Sequence, residues 1–323
     1  MRVEKRSNSQ RRGLGPAERG RYVLGLLSLY IKGYGARNSF GQLGNEIDLM
    51  TAAMSRFSTK RIDESRILEL GFGQRPFRLF ALQSLGYDAS GIDLDAPMYR
   101  PIIRQAQQIF TKNGIYRCAK TVFRYIAFDH HQYRWLDLFL RSRGATLRPS
   151  LSRLLVGDLA DDEVWQRAGG VFDLLYSFDV MEHIPRNDLD RVLSHMFNHM
   201  NLDSVAFVAP VIFTGITGGH ELGWYPHQVD QGYIERGPAW GHLTGESKGA
   251  DTFLNEMTAA DFRAAFSKYF DIVEEHCLYG RLGAQYLTGD RRAAIPSQFD
   301  DDELFSNRIV FVLKKKPLER SDM

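Results

Sequence analysis

Apolar positions along the chain fall into blocks that switch between two periods. Val23, Leu26, Leu27 and Tyr30 recur at i, i+3, i+4 and i+7, and Ile47, Met50 and Met54 keep a similar spacing ahead of Ser58. Both stretches predict helices. Short, nearly continuous apolar runs at Arg66–Leu70, Ala89–Ile92, Leu154–Val156, Phe172–Phe178, Val205–Ala209, Phe270–His276 and Arg308–Leu313 predict strands. Helical patterns at Phe77–Ser84, Leu189–Met200 and Ala259–Tyr269 lie between them. Strands that alternate with helices predict an α/β fold with a mostly parallel sheet covered on both faces. Nothing repeats at a fixed period, which argues against a solenoid.

One spacing departs from that pattern. About sixty residues separate the second predicted strand, ending near Asp93, from the third at Leu154, whereas a crossover with one helix needs far fewer. An insertion is expected at about 110–150, where Arg alternates with aromatic residues (Tyr116, Arg117, Phe123, Arg124, Tyr125, Tyr133, Arg134, Trp135) and Leu136, Leu138 and Phe139 add an apolar side. The remaining divisions expected are a disordered basic tail at 1–16, a helical extension at 17–62, a core at 63–316 and a short tail at 317–323.

Composition narrows the class. With 44% hydrophobic and 25% charged residues the chain is neither disordered nor collagen-like. Its net charge of +2 conceals polarity: residues 100–153 hold 11 Lys and Arg against 2 Asp and Glu, while residues 154–323 hold 15 against 27. Such asymmetry can mark an anionic partner, nucleic acid or a membrane surface, although solvated helix faces look the same. Cys118 and Cys277 stand far apart in no CxxC pair, so neither a disulfide framework nor a cysteine zinc site is expected. The apolar run Tyr22–Ile31 is flanked by Glu18 and Lys32 without a small-residue cleavage pattern. It reads as a helix rather than a signal peptide, and a cytoplasmic location is expected.

The chemistry concentrates at strand ends. The first strand opens directly into Gly71-Phe72-Gly73, with Pro76 at the start of the next helix. Two glycines let backbone approach a ligand at the crevice where open α/β sheets bind nucleotide-like molecules. Pro76 occupies the third glycine position of a dinucleotide fingerprint and disfavours that reading. Asp93, about 20 residues further on, ends the second strand where a carboxylate can accept ribose hydroxyls.

Taken together, these motifs resemble class I S-adenosylmethionine-dependent methyltransferases, the broad group that includes ubiquinone-biosynthesis O-methyltransferases. The resemblance covers residues 65–215 and continues loosely to 315. It implies a Rossmann-like seven-stranded sheet with an antiparallel last strand beside the fifth. It also implies cofactor contacts from Glu69, Gly71 and Gly73, from Asp93 and Leu94, from Asp158 and Leu159, and from Ser177 and Phe178. Arg75 departs from a common third glycine, so its side chain is expected either to crowd the methionine carboxylate or to pair with it. Without the enzyme activity, the fold would serve as a cofactor-binding or interaction module.

Methyl transfer to a hydroxyl needs an aligned acceptor and a base. His220, His183 and Glu182 are the catalytic candidates, and Trp224, Tyr225 and His227 are candidate walls of an acceptor pocket. Asp179, Glu182, His183 and a distant His220 also resemble a divalent-metal site of some O-methyltransferases and small-RNA 2'-O-methyltransferases, with Asp in place of the first Glu. The simpler assignment makes His183 a capping or packing residue and leaves metal out. His130-His131 reads as polar surface. The expected acceptor is a small molecule or saccharide, anionic if the basic insertion selects it, with RNA as the alternative.

Overall fold

The computed structural model describes residues 20, 24–25, 34–99, 103–231, 236–247 and 252–317. The tail at 1–16, all but Leu24 and Gly25 of the helix predicted around Val23–Tyr30, and nearly all of the last seven residues lie outside them. Seven strands form one sheet in the order β3-β2-β1-β4-β5-β7-β6. They are β1 (Arg66–Leu70), β2 (Asp88–Asp93), β3 (Leu154–Val156), β4 (Phe172–Phe178), β5 (Met200–Ala209), β6 (Phe270–Cys277) and β7 (Ile309–Lys315). The first five run parallel, and β7 inserts antiparallel between β5 and β6.

Burial explains why these segments are strands. Every residue of β4 is buried, as a central strand covered on both faces requires, whereas β6 at the edge holds only Phe270 fully out of solvent. β5 begins five residues before the predicted Val205. Met200 pairs with Phe172, and a polar irregularity follows in which Asn201 accepts hydrogen bonds from the Asp203 and Ser204 amides. Asn201, Asp203 and Ser204 hide that early pairing from an apolar pattern.

Helices α1 (Tyr34–Phe57), α2 (Phe77–Ser84), α3 (Ile103–Arg124) and α4 (His130–Ser142) precede β3, and α5 (Asp162–Ala168), α6 (Arg186–Asn198) and α7 (Ala259–Ser267) follow. In α1, Phe40, Leu43, Ile47, Met50 and Met54 form the buried stripe that the spacing predicted. They join α2 and α4 in the core on one sheet face, while α5, α6 and α7 build the other. Pro185 precedes the first turn of α6, which starts three residues before the predicted Leu189. Thr258 and Asp261 make a reciprocal capping box that starts α7 at the predicted residue.

Between β2 and β3 the chain forms α3, kinked at Gly114, a π-helical turn at Tyr125–Asp129, and α4. Buried Tyr133, Leu136 and Leu140 anchor α4 in the core shared with α1 and α2.

Candidate active site

The carboxyl ends of β1, β2 and β3 meet at one crevice. The Gly71 amide donates to the Ile92 carbonyl at 2.8 Å, and the Gly73 amide donates to Asp93 Oδ2 at 2.7 Å. Asp93 Oδ1 accepts from the Asp95 amide at 2.7 Å, and its carbonyl accepts from the Gly157 amide. The β2 carboxylate is thus fixed beside the glycine loop. At the β3 end, Asp158 Oδ1 accepts from the Ala160 amide at 3.0 Å.

The two glycines differ in kind. Gly71 has φ +80, and an added Cβ would stand 2.3 Å from Val180 Cγ2, so neither backbone nor space admits a side chain. Gly73 has φ +67 but open space where its Cβ would point. That opening is a cradle in which a ligand can lie against backbone.

The other expected cofactor residues take distinct places. Leu94 is exposed at the crevice end of β2, whereas Leu159 and Phe178 pack into the core. Ser177 Oγ donates to the Leu70 carbonyl at 3.1 Å and ties β4 to β1. Arg75 Nη1 donates to buried Gln132 of α4 at 2.8 Å, which holds that guanidinium toward the helix. Glu69 is buried with Oε2 unpartnered, and burial pushes its carboxyl up to about 7 against the opposing pull of Arg78.

Val180 against Gly71 places the turn after β4 next to this crevice. Within it, Asp179 has φ 58 and forms an ion pair with buried Arg308, whose Nη2 lies 2.5 Å away. Glu182 and His183 follow in a 3-10 turn. His220 arrives from the loop after β5, with φ 52. Its Nε2 lies 3.8 Å from Glu182 Oε1, and its ring centre is 5.0 Å from that of His183.

Glu182 and His220 have the same peculiarity: both carboxylate oxygens and Nε2 are buried without a hydrogen-bond partner. Burial raises Glu182 well above the usual carboxyl range, with the Asp179 charge adding to it. Burial drives His220 down to about 3, helped by neighbouring His183 and Arg308. His183 is also lowered by burial, and its Nδ1 lies 2.8 Å from the Phe253 carbonyl. That contact makes Nδ1 the donor and leaves Nε2 as the acceptor.

Glu182, His183 and His220 are also the described residues that can converge on a metal ion, their ligand atoms lying within 4.8 Å of one another. Asp179 does not join that group, because Arg308 holds it. Trp224 packs into a satellite core with Trp240, while Tyr225 and His227 flank each other beside it. His130 and His131 touch on the outside of α4, apart from this site.

Residues that sequence reasoning passed over complete the surroundings. Arg78 Nε donates to buried Glu46 of α1 at 2.6 Å, and its guanidinium lies over the Phe178 ring. Gln42 of α1 donates to the Tyr279 hydroxyl at 3.1 Å. Asn255 Nδ2 donates to the carbonyls of Met181 and Ile184 and so holds both ends of the 3-10 turn. The available signals were a glutamate inside the apolar stripe of α1 and an arginine heading an otherwise apolar strand.

The parallel sheet with an antiparallel β7 between β5 and β6, and its strand-end crevice, define a Rossmann-like methyltransferase fold. A methyltransferase-domain family profile matches residues 43–269, and the chain belongs to this S-adenosylmethionine-dependent family. It is therefore a methyltransferase that uses S-adenosylmethionine. No curated protein sequence matches it. Among solved structures it is similar to a TehB-like SAM-dependent methyltransferase from Corynebacterium glutamicum, at 16% identity over 94% of this chain and 100% of that one, with a TM-score of 0.40. It is also similar to magnesium protoporphyrin IX methyltransferase from Synechocystis, at 11% identity over 86% and 84%, with a TM-score of 0.42. A SAM-dependent methyltransferase from Clostridium acetobutylicum gives 11% identity over 92% and 99%, with a TM-score of 0.42.

Proposed function

We propose that the chain methylates a hydroxyl of a small molecule or saccharide, with the β1 to β4 strand ends around the cofactor and His220, His183 and Glu182 on the acceptor side. The observation that carries this reading is the pair of buried, unpartnered groups, Glu182 and His220 Nε2, beside the glycine loop. Buried polar atoms without partners cost stability and are expected where a ligand completes them. The open space at Gly73 and the fixed Asp93 carboxylate suit a nucleoside-bearing cofactor.

S-adenosylmethionine supplies a methyl group on a sulfonium sulfur, an electrophile that needs no activation by protein. The chain must align the acceptor oxygen and take its proton. His220 stays neutral, and in its Nδ1–H tautomer Nε2 has a lone pair that accepts the hydroxyl hydrogen bond and takes the proton as the oxygen gains the methyl group, when that hydroxyl becomes strongly acidic. Glu182, held protonated by burial, can donate to the acceptor and orient it. His183, fixed by the Phe253 carbonyl, presents a second acceptor atom to the same space.

A second reading has a specific observation in its favour. Two ligands of one ion at bond lengths of about 2.1 Å can be at most about 4.2 Å apart. The 3.8 Å from His220 to Glu182 lies within that span, and all three ligand atoms lie within 4.8 Å of one another. Glu182, His183 and His220 would hold a divalent cation, whose chemistry is to lower the pKa of a bound hydroxyl.

Transfer of labelled methyl groups to saccharides, small hydroxylated molecules and short RNAs tests the acceptor. Label is expected in the saccharide or small-molecule fractions and is expected to disappear in His220→Ala while cofactor affinity is retained. Label confined to RNA would overturn the acceptor class. Chelator-resistant turnover would reject the metal reading and leave His220 as base.

A further inference from the structure

The α3–α4 segment exposes apolar side chains that the methyl-transfer site does not use. Of the twelve large hydrophobic residues exposed among the described residues, six belong to it: Phe110, Ile115, Phe123, Ile126, Trp135 and Leu138. Ile115, Ala119 and Phe123 recur every four residues along one exposed side of α3, and exposed Ile126 follows in the π-helical turn. Ile115 is 74% exposed and Phe123 66%, so neither is a margin of the core. On α4, Trp135 and Leu138 stand outside with exposed Arg134 and Arg141, away from the buried Leu136 and Leu140.

Charge selects the occupant. Residues 100–153 carry 11 Lys and Arg against 2 Asp and Glu, whereas residues 154–323 carry 15 against 27. A negatively charged plane would attract the α3–α4 segment and repel the part built from residues 154–323, which orients the molecule. The exposed aliphatic residues Ile115, Ile126 and Leu138 suit an acyl boundary, and Phe110, Phe123 and Trp135 beside them suit its headgroup margin. A second copy meeting the same face would bring like charge against like.

We propose that α3 and α4 form a docking face for an anionic phospholipid surface, inserting the apolar stripe of α3 and Trp135 between headgroups. The face connects to the cofactor crevice. Arg124 of α3 bonds Gln74 of the glycine loop and lies 2.8 Å from Asp129, while Arg75 of that loop bonds Gln132 of α4. Docked helices would therefore bear directly on Gln74 and Arg75.

The test is flotation of the full chain with phosphatidylcholine vesicles, with and without phosphatidylglycerol. Binding is expected to the anionic vesicles, to weaken with salt, and to be slight on phosphatidylcholine alone. Trp165, Trp224 and Trp240 are buried, so a vesicle-induced blue shift in tryptophan emission would report Trp135 and vanish in Trp135→Phe. The double variant Phe123→Ser, Ile126→Ser should bind anionic vesicles roughly tenfold less tightly or worse, with unchanged melting and cofactor affinity. The proposal falls if anionic vesicles fail to retain the protein, or if the double variant binds them as the native chain does. It falls equally if vesicles are ignored while that variant abolishes self-association or RNA binding.

Discussion

Replacing Asn255 with leucine is expected to release the turn that carries Glu182 and His183. Asn255 is buried, and its Nδ2 donates to the Met181 carbonyl at 2.8 Å and the Ile184 carbonyl at 2.9 Å. Its Oδ1 accepts from the Met257 amide at 3.2 Å. Leucine branches at the same carbon and is the larger side chain, so the change removes polar bonds without opening a cavity. Three hydrogen bonds at about 1 kcal/mol each put the loss near 3 kcal/mol. The backbone bond from the Asn255 amide to the Glu182 carbonyl survives, so the turn loosens rather than unfolds alone. Urea denaturation reads the stability, and calorimetry with S-adenosylmethionine beside a methyl-transfer assay reads the site. Turnover should fall far more than cofactor affinity, because none of these bonds touches β1, β2 or the glycine loop. Asn255→Asp should be worse than leucine, since it sets a carboxylate against two carbonyls. A loss below about 1 kcal/mol with turnover retained would refute the argument, because the turn would then be held by something else.

Two further outcomes separate cofactor binding from stability. Asp93→Ala removes the acceptor of the Gly73 and Asp95 amides and is expected to weaken S-adenosylmethionine binding by roughly 1.5–3 kcal/mol in calorimetry; unchanged affinity would place the cofactor elsewhere. Glu69 tests electrostatics: its carboxyl is raised by burial from 4.5 to about 7, so the folded state holds the proton more tightly than the unfolded state. Its contribution to stability is therefore greatest below the unfolded value and declines as pH rises through 7. Glu69→Gln, neutral throughout, should be the more stable protein by about 3 kcal/mol near pH 8, with little of that gain near pH 4. Equal differences at both pH values in chemical denaturation would show that burial of the charge is not what matters.

Legibility in the sequence divided along physical lines. The β1 and β4 boundaries and the start of α7 agree with periodicity because each segment buries its own apolar residues. The glycine loop and the acids at the ends of β2 and β3 were visible because they follow strands directly, where chain direction alone aims them at the crevice. Arg75 was read without its partner: Gln132 lies 57 positions away, on a helix that only tertiary packing brings to the loop. Spacing puts Asp179 in a candidate metal set that the simpler assignment leaves out, and buried Arg308 at the head of β7, 129 positions away, pairs with it. Neither Glu46 nor Asn255 belongs to a motif, and each acts through a carbonyl or guanidinium supplied by a remote segment.

The two halves of the site are consequently stabilised in different ways. On the cofactor side, positive φ falls on Gly71 and Gly73, which adopt it at little steric cost. On the acceptor side it falls on Asp179 and His220, where a Cβ makes the left-handed region unfavourable by roughly 1–2 kcal/mol each. Strain of this kind persists only where surrounding bonds over-determine it. For Asp179 those bonds are the Arg308 ion pair and its amide to the Ala209 carbonyl at 3.1 Å; for His220, its amide donates to the Thr217 carbonyl at 3.0 Å. Thr217 is in turn tied to Asn307, the neighbour of Arg308, through its own amide at 3.2 Å. The Asn307-Arg308 pair thus secures both strained residues from one point ahead of β7. The strand that sets this sheet apart from an all-parallel one is also the strand whose entry braces the acceptor side.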